Sequence, residues 1–124
     1  MRELVLKKCL KCGALIKVIT DCTCEECGIK CCGENMKLVK PNSVDAAVEK
    51  HIPTYEINED SLVVTVNHVM DEDHYIEWIA FINEKREEYV YFKPGDECKA
   101  IFKFDKGTLY SYCNKHSLWT SDIK

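Results

Sequence analysis

The stretch YIEWIAFINEKREEYVYFK, residues 75–93, decides the fold class of this 124-residue chain. It contains two runs, YIEWIAFIN and EEYVYFK, which are rich in Ile, Val, Tyr and Phe and are separated by a charged break. Such β-branched and aromatic residues suit a pleated, half-buried surface. We therefore predict two neighbouring strands here.

Runs of the same kind surround this stretch from Thr54 onward. They are SLVVTVNHV, CKAIFKF and TLYSYC, and they are divided by polar turns such as MDEDH, KPGDE and DKG. Five or more strands at spacings of roughly ten residues favour an antiparallel β-sandwich. We place this domain at residues 40–124.

A connector, PNSVDAAVEKHIP, precedes the sandwich and is bounded by Pro41 and Pro53. Its apolar residues Val44, Ala47 and Val48 have helical spacing, but only one or two turns fit before the second proline. We predict a linker with one helical turn.

Residues 1–39 have a different composition, because seven of the nine cysteines lie between Cys9 and Cys32. Short strand-like runs (LVLK, ALIKVIT, MKLVK) alternate there with cysteine-bearing turns, and the segment is too short and polar to fold by apolar burial alone. The start MRELVLKK has no apolar signal segment, and the cysteine count is odd. Both features favour metal ligation in a reducing cytosol over disulfides.

The overall charge excludes some classes of partner. A formal net charge of -4 and a pI near 5.6 are unsuited to binding a phosphate backbone, so we expect no nucleic-acid partner. No apolar run approaches the roughly 18 residues of a membrane span. We expect a soluble, cytoplasmic protein without a membrane partner.

The N-terminal cysteines predict a tetrahedral four-thiolate site for iron or zinc, because CLKC (Cys9 and Cys12) is followed by CTCEEC and then by a vicinal pair. The seven candidates allow several sets of four, and a purely structural zinc knot has the same ligands. The glycines beside the cysteines suit metal knuckles, in which backbone N–H groups turn toward sulfur. The candidates are Cys9, Cys12, Cys22, Cys24, Cys27, Cys31 and Cys32.

A second cluster is spread through the sandwich. It consists of four histidines and one cysteine. Each histidine alone would be an ordinary surface or core residue, but strand ends and turns can bring all five side chains together at one end of the domain. Zinc rarely takes five protein ligands and blue copper sites use fewer histidines, whereas iron accepts imidazoles with a thiolate behind them. We expect iron with one open position. The residues are His51, His68, His74, Cys113 and His116.

These motifs resemble the desulfoferrodoxin family, the two-iron superoxide reductases, along essentially the whole chain. The resemblance is carried by C-x-x-C with a vicinal Cys-Cys, then E-K-H-x-P, H-x5-H and C-N-x-H, in the family's order. It implies an immunoglobulin-like antiparallel β-sandwich, preceded by a small desulforedoxin/rubredoxin-like metal-binding domain at residues 1–39. It also implies a homodimer.

The resemblance assigns the ligands of two non-haem irons per chain. The four histidines become equatorial ligands and Cys113 the axial one, while Cys9, Cys12, Cys31 and Cys32 hold the N-terminal iron, which zinc can replace. DCTCEECGIKCC is longer than the family's usual connection, so Cys24 or Cys27 stays an alternative ligand. The remaining thiols would be redox-active or spare.

The activity implied is one-electron reduction of superoxide to hydrogen peroxide at the ferrous centre, without oxygen production, and the implied electron donor is rubredoxin. Lys50 is the family's candidate for attracting superoxide and organising a proton-donating water. Glu49 is the carboxylate that would occupy the open position in the oxidised state. Lys115 would add positive potential.

Other functions make different demands. A non-catalytic iron electron-transfer or metal-binding protein would saturate its metal with protein ligands, whereas a catalyst keeps a position open. A thiol oxidoreductase using CLKC lacks the βαβ context, and a Cys113–His116 hydrolase dyad ignores three histidines. We expect Tyr112, Trp119 and Cys98 to be core residues.

Overall fold

The computed structural model describes residues 2–24 and 28–123 and forms two compact units. The smaller unit spans Leu4–Lys40, and the larger one begins at Pro41 and also includes Arg2 and Glu3. All pairings between named strands are antiparallel. The prediction of a mainly β chain is therefore confirmed.

Among its described residues the smaller unit contains five short strands, three of which overlap the predicted runs LVLK, ALIKVIT and MKLVK. A three-stranded sheet has the order β2-β1-β5, and β3 pairs with β4. The strands are β1 (Leu6–Lys8), β2 (Leu15–Lys17), β3 (Lys30–Cys31), β4 (Glu34–Asn35) and β5 (Lys37–Leu38).

Within its described part, the larger unit contains seven strands in two sheets, with the orders β10-β7-β6 and β12-β11-β8-β9. One 3-10 helix, Val48–Lys50, lies in the connector, as the predicted helical turn required. The strands are β6 (Thr54–Asn58), β7 (Ser61–Thr65), β8 (Ile76–Ile82), β9 (Glu87–Tyr91), β10 (Lys99–Lys103), β11 (Thr108–Cys113) and β12 (Ser117–Asp122).

The two sheets of the larger unit share one core. Leu62 and Val64 of β7 lie in the same buried cluster as Ile79 and Phe81 of β8. All four side chains are completely inaccessible to solvent. Because the alternating residues of both sheets face each other, the unit is an antiparallel β-sandwich, as predicted.

The end of β7 and the strands β6 and β12 differ from the expectation. The run SLVVTVNHV is strand only as far as Thr65, which pairs with Lys99, the first residue of β10. Residues 66–70 therefore leave the ladder, and His68 lies in a loop. The unpredicted strand β12 is rich in hydroxyl side chains, and its burial depends on pairing with β11 along its whole length.

Among the described residues, no helix has the length and apolar character needed to cross a membrane.

Candidate metal centres

Five side chains meet at one end of the larger unit, and we call them the five-residue site. Its members are His51, His68, His74, Cys113 and His116, whose ligand atoms all lie within 4.8 Å of one another. His51 follows the 3-10 helix, His68 follows β7, His74 precedes β8, Cys113 ends β11 and His116 precedes β12. The sandwich thus brings together residues that are as much as 65 positions apart in the sequence.

The four imidazoles form a closed circle of neighbours in the order 51, 68, 74, 116. Adjacent ring centroids are 4.6–5.0 Å apart, and adjacent rings are inclined by 67–90°. The Cys113 sulfur lies 3.4 Å from His68 Nε2 and 3.9 Å from His116 Nδ1. The rings therefore surround a common centre, with the thiol close to two of them.

Hydrogen bonds orient the rings. His51 Nδ1 donates to the Ala47 carbonyl (2.7 Å) and His68 Nδ1 donates to the Val69 carbonyl (2.5 Å). Each Nε2 is then the unprotonated nitrogen and is free to bind a metal. His116 instead presents Nδ1, which lies 3.1 Å from His51 Nε2.

His74 supplies the clearest sign that the site fits a metal. Its Nε2 is buried and has no hydrogen-bond partner within the part of the chain that the structure describes. A buried polar atom without a partner is costly, and a bound cation would satisfy it. Imidazole and thiolate donors favour a transition metal over Mg²⁺ or Ca²⁺, so the residues present fit iron.

Burial favours the neutral form of three of the five side chains, His68, His74 and Cys113, in the metal-free protein. It lowers the pKa of His68 and of His74 below the usual range, because desolvation disfavours the imidazolium. It also raises the pKa of the Cys113 thiol. These two imidazoles are thus ready to coordinate, whereas the thiol must lose its proton before it can bind a metal ion.

Backbone carbonyls of the site are fixed by side chains from β11 and β12. The Trp119 ring stacks on His51 at 4.7 Å and donates from Nε1 to the His116 carbonyl (2.9 Å). The Ser111 hydroxyl donates to the His51 carbonyl (2.6 Å). Tyr112 and Trp119 are buried, as predicted, but sequence reasoning missed the contacts of Trp119 and Ser111 with the histidines.

Asn114 joins the turn that carries His116 to the loop that carries His74. Its Oδ1 accepts from the Tyr75 N–H (3.0 Å) and its Nδ2 donates to the Asp73 carbonyl (2.9 Å). Asn114 N–H also donates to the Tyr75 carbonyl (3.2 Å). The C-N-x-H spacing was the sequence signal for this residue.

A surface depression opens above the histidines. All four imidazoles line it, together with Lys50, Asp45, Asp71 and small residues, whereas the fully buried Cys113 does not. The thiol therefore lies on the core side of the rings. Glu49 is exposed on the 3-10 helix and is not among the lining residues, and Lys115 instead forms a long ion pair with Asp73 (3.9 Å).

A second ligand cluster lies in the smaller unit, and we call it the four-thiol group. It consists of Cys9, Cys12, Cys31 and Cys32, with their sulfurs within 4.8 Å of one another. The Cys12 and Cys31 sulfurs are 3.6 Å apart, and Cys12 N–H donates to the Cys9 sulfur (3.5 Å). This is the predicted knuckle, and Gly13 completes it at a φ of 81°, a conformation that suits glycine.

The four-thiol group has uneven proton affinities. The backbone N–H of Cys12 lowers the pKa of Cys9 to about 6, while the neighbouring Cys12 side chain raises the pKa of Cys31 to about 12. Cys9 therefore ionises more readily than Cys31, and a bound cation would favour the thiolate form of both. Cys22 and Cys24 are exposed and lie outside the group, Cys27 lies outside the described residues, and Cys98 is buried.

Comparisons with known proteins agree with this architecture. The family model described as Desulfoferrodoxin matches residues 43–122. Desulfoferrodoxin from Syntrophotalea carbinolica is 38% identical over 125 residues, covering 97% of each chain, and desulfoferrodoxin from Nitratidesulfovibrio vulgaris is 38% identical over 120 residues, covering 93% of each. The chain belongs to the desulfoferrodoxin family.

Solved structures that are similar to this chain include two superoxide reductases. The superoxide reductase from Treponema pallidum has a TM-score of 0.74 and 25% identity, covering 98% of this chain and 100% of that one. The 1Fe superoxide reductase from Giardia intestinalis has a TM-score of 0.55 and 21% identity, covering 61% of this chain and 98% of that one. The latter likeness shows the fold of the sandwich.

Proposed function

We propose that the chain is a superoxide reductase that converts superoxide to hydrogen peroxide at the five-residue site. The observation that carries this proposal is the circle of four imidazoles, which borders a depression while the thiol lies on the buried side. Such an arrangement leaves one face of a bound metal accessible to a small ligand. The family membership and the superoxide reductase structures support it.

His51, His68, His74, Cys113 and His116 would hold the catalytic iron. Bound iron would supply the one electron that, with two protons, turns superoxide into hydrogen peroxide without producing oxygen. The ligands carry a single negative charge when the imidazoles are neutral and Cys113 is a thiolate. A divalent ion would therefore leave the site positive and attractive to an anion.

Lys50 is the residue that we assign to substrate attraction, because it lines the depression beside the four histidines. Its ammonium raises the local concentration of superoxide in a chain that is negative overall. It would also hold a proton-donating water near the bound anion. Lys115, paired with Asp73, contributes less.

Glu49 is proposed as a carboxylate that approaches the site only in the oxidised state, since it does not line the depression here. In Glu49→Ala we expect an unchanged rate of superoxide consumption by the ferrous protein and an altered visible spectrum of the ferric protein. An unchanged ferric spectrum would remove Glu49 from the mechanism.

For the smaller unit we propose a four-thiolate iron domain at residues 1–39, with zinc able to replace the iron, followed by the catalytic domain at 40–124. Cys9, Cys12, Cys31 and Cys32 would be the ligands. We further propose a cytoplasmic homodimer that receives electrons from a donor such as rubredoxin.

The decisive experiment loads the full chain anaerobically with ferrous iron and adds a known amount of superoxide. We expect one hydrogen peroxide per superoxide and no oxygen, whereas the zinc-loaded chain gives only the background dismutation. Release of oxygen, or no consumption above the zinc control, would refute the proposal. Azide binding to the ferric protein separates a catalyst from an electron carrier whose metal has no open position.

A further inference from the structure

Four aromatic rings form a continuous series that begins at Tyr112, the residue before Cys113, and ends at the surface, and we call them the aromatic file. Tyr112 stacks on Trp78 with centroids 5.5 Å apart, and Trp78 meets Tyr89 edge to face at 5.5 Å. Tyr89 stacks on Tyr91 at 6.3 Å. The four rings come from three adjacent strands, β11, β8 and β9.

The two ends of the aromatic file differ in their exposure to solvent. Tyr112 is 3% exposed and is joined by one peptide bond to the ligand Cys113, whereas Tyr91 is 72% exposed. Trp78, between them, is buried. Packing explains the three buried or half-buried rings, but burial of apolar area does not explain a tyrosine that continues the series into solvent.

Tyr89 has a partner that can take a proton. Its hydroxyl donates to Glu87 Oε1 (3.1 Å), and the other oxygen of Glu87 is ion-paired with Arg2. Burial raises the pKa of Tyr89, so the phenol is neutral. A neutral phenol that loses an electron also loses its proton, and a hydrogen-bonded carboxylate receives it without motion of the chain.

We propose that the aromatic file carries one-electron oxidising equivalents away from the five-residue site to Tyr91 at the surface. Indole and phenol rings are among the most easily oxidised side chains. The first step follows the peptide bond between Cys113 and Tyr112, and each later step spans neighbouring rings. The file would protect His51, His68, His74, Cys113 and His116 from oxidation by hydrogen peroxide. The inference rests on the proposed function, which makes that oxidant beside the ligands.

The chemistry balances with hydrogen peroxide as the oxidant and with iron bound in the site. The O–O bond breaks, and two electrons and two protons convert the peroxide into two waters. They come from two tyrosine phenols, whose radicals couple through a new C–C bond to give dityrosine. Because Tyr91 is exposed, we expect this coupling to join two protein molecules.

The test treats the iron-loaded full chain with a small excess of hydrogen peroxide and measures dityrosine fluorescence, cross-linked dimers and the cross-linked peptides by mass spectrometry. We expect dityrosine at Tyr91, and its loss in Trp78→Phe, in Tyr89→Phe and in metal-free protein. Tyr55→Phe, on β6 of the other sheet, is the matched control and should form as much dityrosine as the wild type.

Two results would overturn the proposal. One is dityrosine that survives in both Trp78→Phe and Tyr89→Phe, and the other is cross-linking that a hydroxyl-radical scavenger abolishes. Tyr89→Phe removes only a hydroxyl group, so it remains informative if Trp78→Phe fails to fold. Superoxide consumption is measured on the same samples: normal consumption without dityrosine refutes the file alone, and absent consumption refutes the proposed function.

Discussion

The five-residue site and the four-thiol group gather their ligands equally closely, within 4.8 Å, but in very different surroundings. Cys113 is completely buried in a sandwich core, whereas Cys12 and Cys32 are exposed. Among its described residues the smaller unit buries only Leu4, Leu6, Cys9, Met36 and Val39. We therefore expect the sandwich to position its ligands through its own folding energy and the smaller unit to depend on a bound metal.

Metal removal should have the largest effect, because we expect it to unfold the smaller unit and to leave the sandwich folded. Binding of a structural metal contributes about 10–16 kcal/mol to the folding of small thiolate domains, and the smaller unit has little other burial. We expect chelation to remove amide exchange protection from Leu6–Lys8 while Ile76–Ile82 stays protected. Protection of both segments in metal-free protein would show that the smaller unit folds without its metal.

Replacement of Cys113 should change the visible spectrum of the five-residue site and leave that of the four-thiol group unchanged. In Cys113→Ser we expect loss of sulfur-to-iron absorption from the five-residue site and loss of superoxide consumption, with the bands of the four-thiol group unchanged. Cys98→Ser is the matched control, because Cys98 is also buried in the sandwich but belongs to neither ligand cluster. If Cys113→Ser keeps both spectra, Cys113 is not a ligand.

Removal of the Asn114 side chain tests whether hydrogen bonds outside the ligand set position the site. Asn114→Ala removes the two side-chain bonds to residues 73 and 75 that hold the loop of His74. Loss of such supporting bonds typically lowers metal affinity by about 10- to 100-fold, and a metal titration would measure it.

The control for Asn114→Ala is Asn42→Ala, since Asn42 makes an equivalent pair of bonds with the backbone of Thr120. We expect Asn42→Ala to lower the free energy of unfolding by about 1–3 kcal/mol and to leave iron affinity unchanged. Equal losses of affinity in both variants would contradict a specific role for Asn114.

The smallest effect concerns the depression above the five-residue site, which Lys50 lines. In Lys50→Ala we expect the rate constant for superoxide to fall by roughly tenfold and to depend less on ionic strength, because electrostatic steering has that order of magnitude. Lys50→Arg should retain most of the rate, and Lys115→Ala should change it less. Identical salt dependence in wild type and Lys50→Ala would exclude steering by Lys50.

Most strand positions in the sandwich followed from the local sequence pattern, and the misses have causes that lie in the partner strands. Runs of β-branched and aromatic residues located β8 and β9, since such side chains suit a strand whatever its partners are. β12 contains Ser117, Thr120 and Ser121 and has no such pattern, so its strand state depends on pairing with β11. The end of β7 at Thr65 likewise depends on where its partner β10 begins.

The sequence by itself determined which residue types were available at which spacing: two groups of metal ligands, a β-rich domain and a cysteine-rich segment before it. Only the tertiary structure decided that His116 presents Nδ1 while His51 and His68 present Nε2, that Lys50 and not Glu49 lines the depression, and that Cys113 lies on the core side. The physical reason is that spacing limits which side chains can meet, whereas orientation depends on hydrogen bonds and packing from strands that are distant in the sequence.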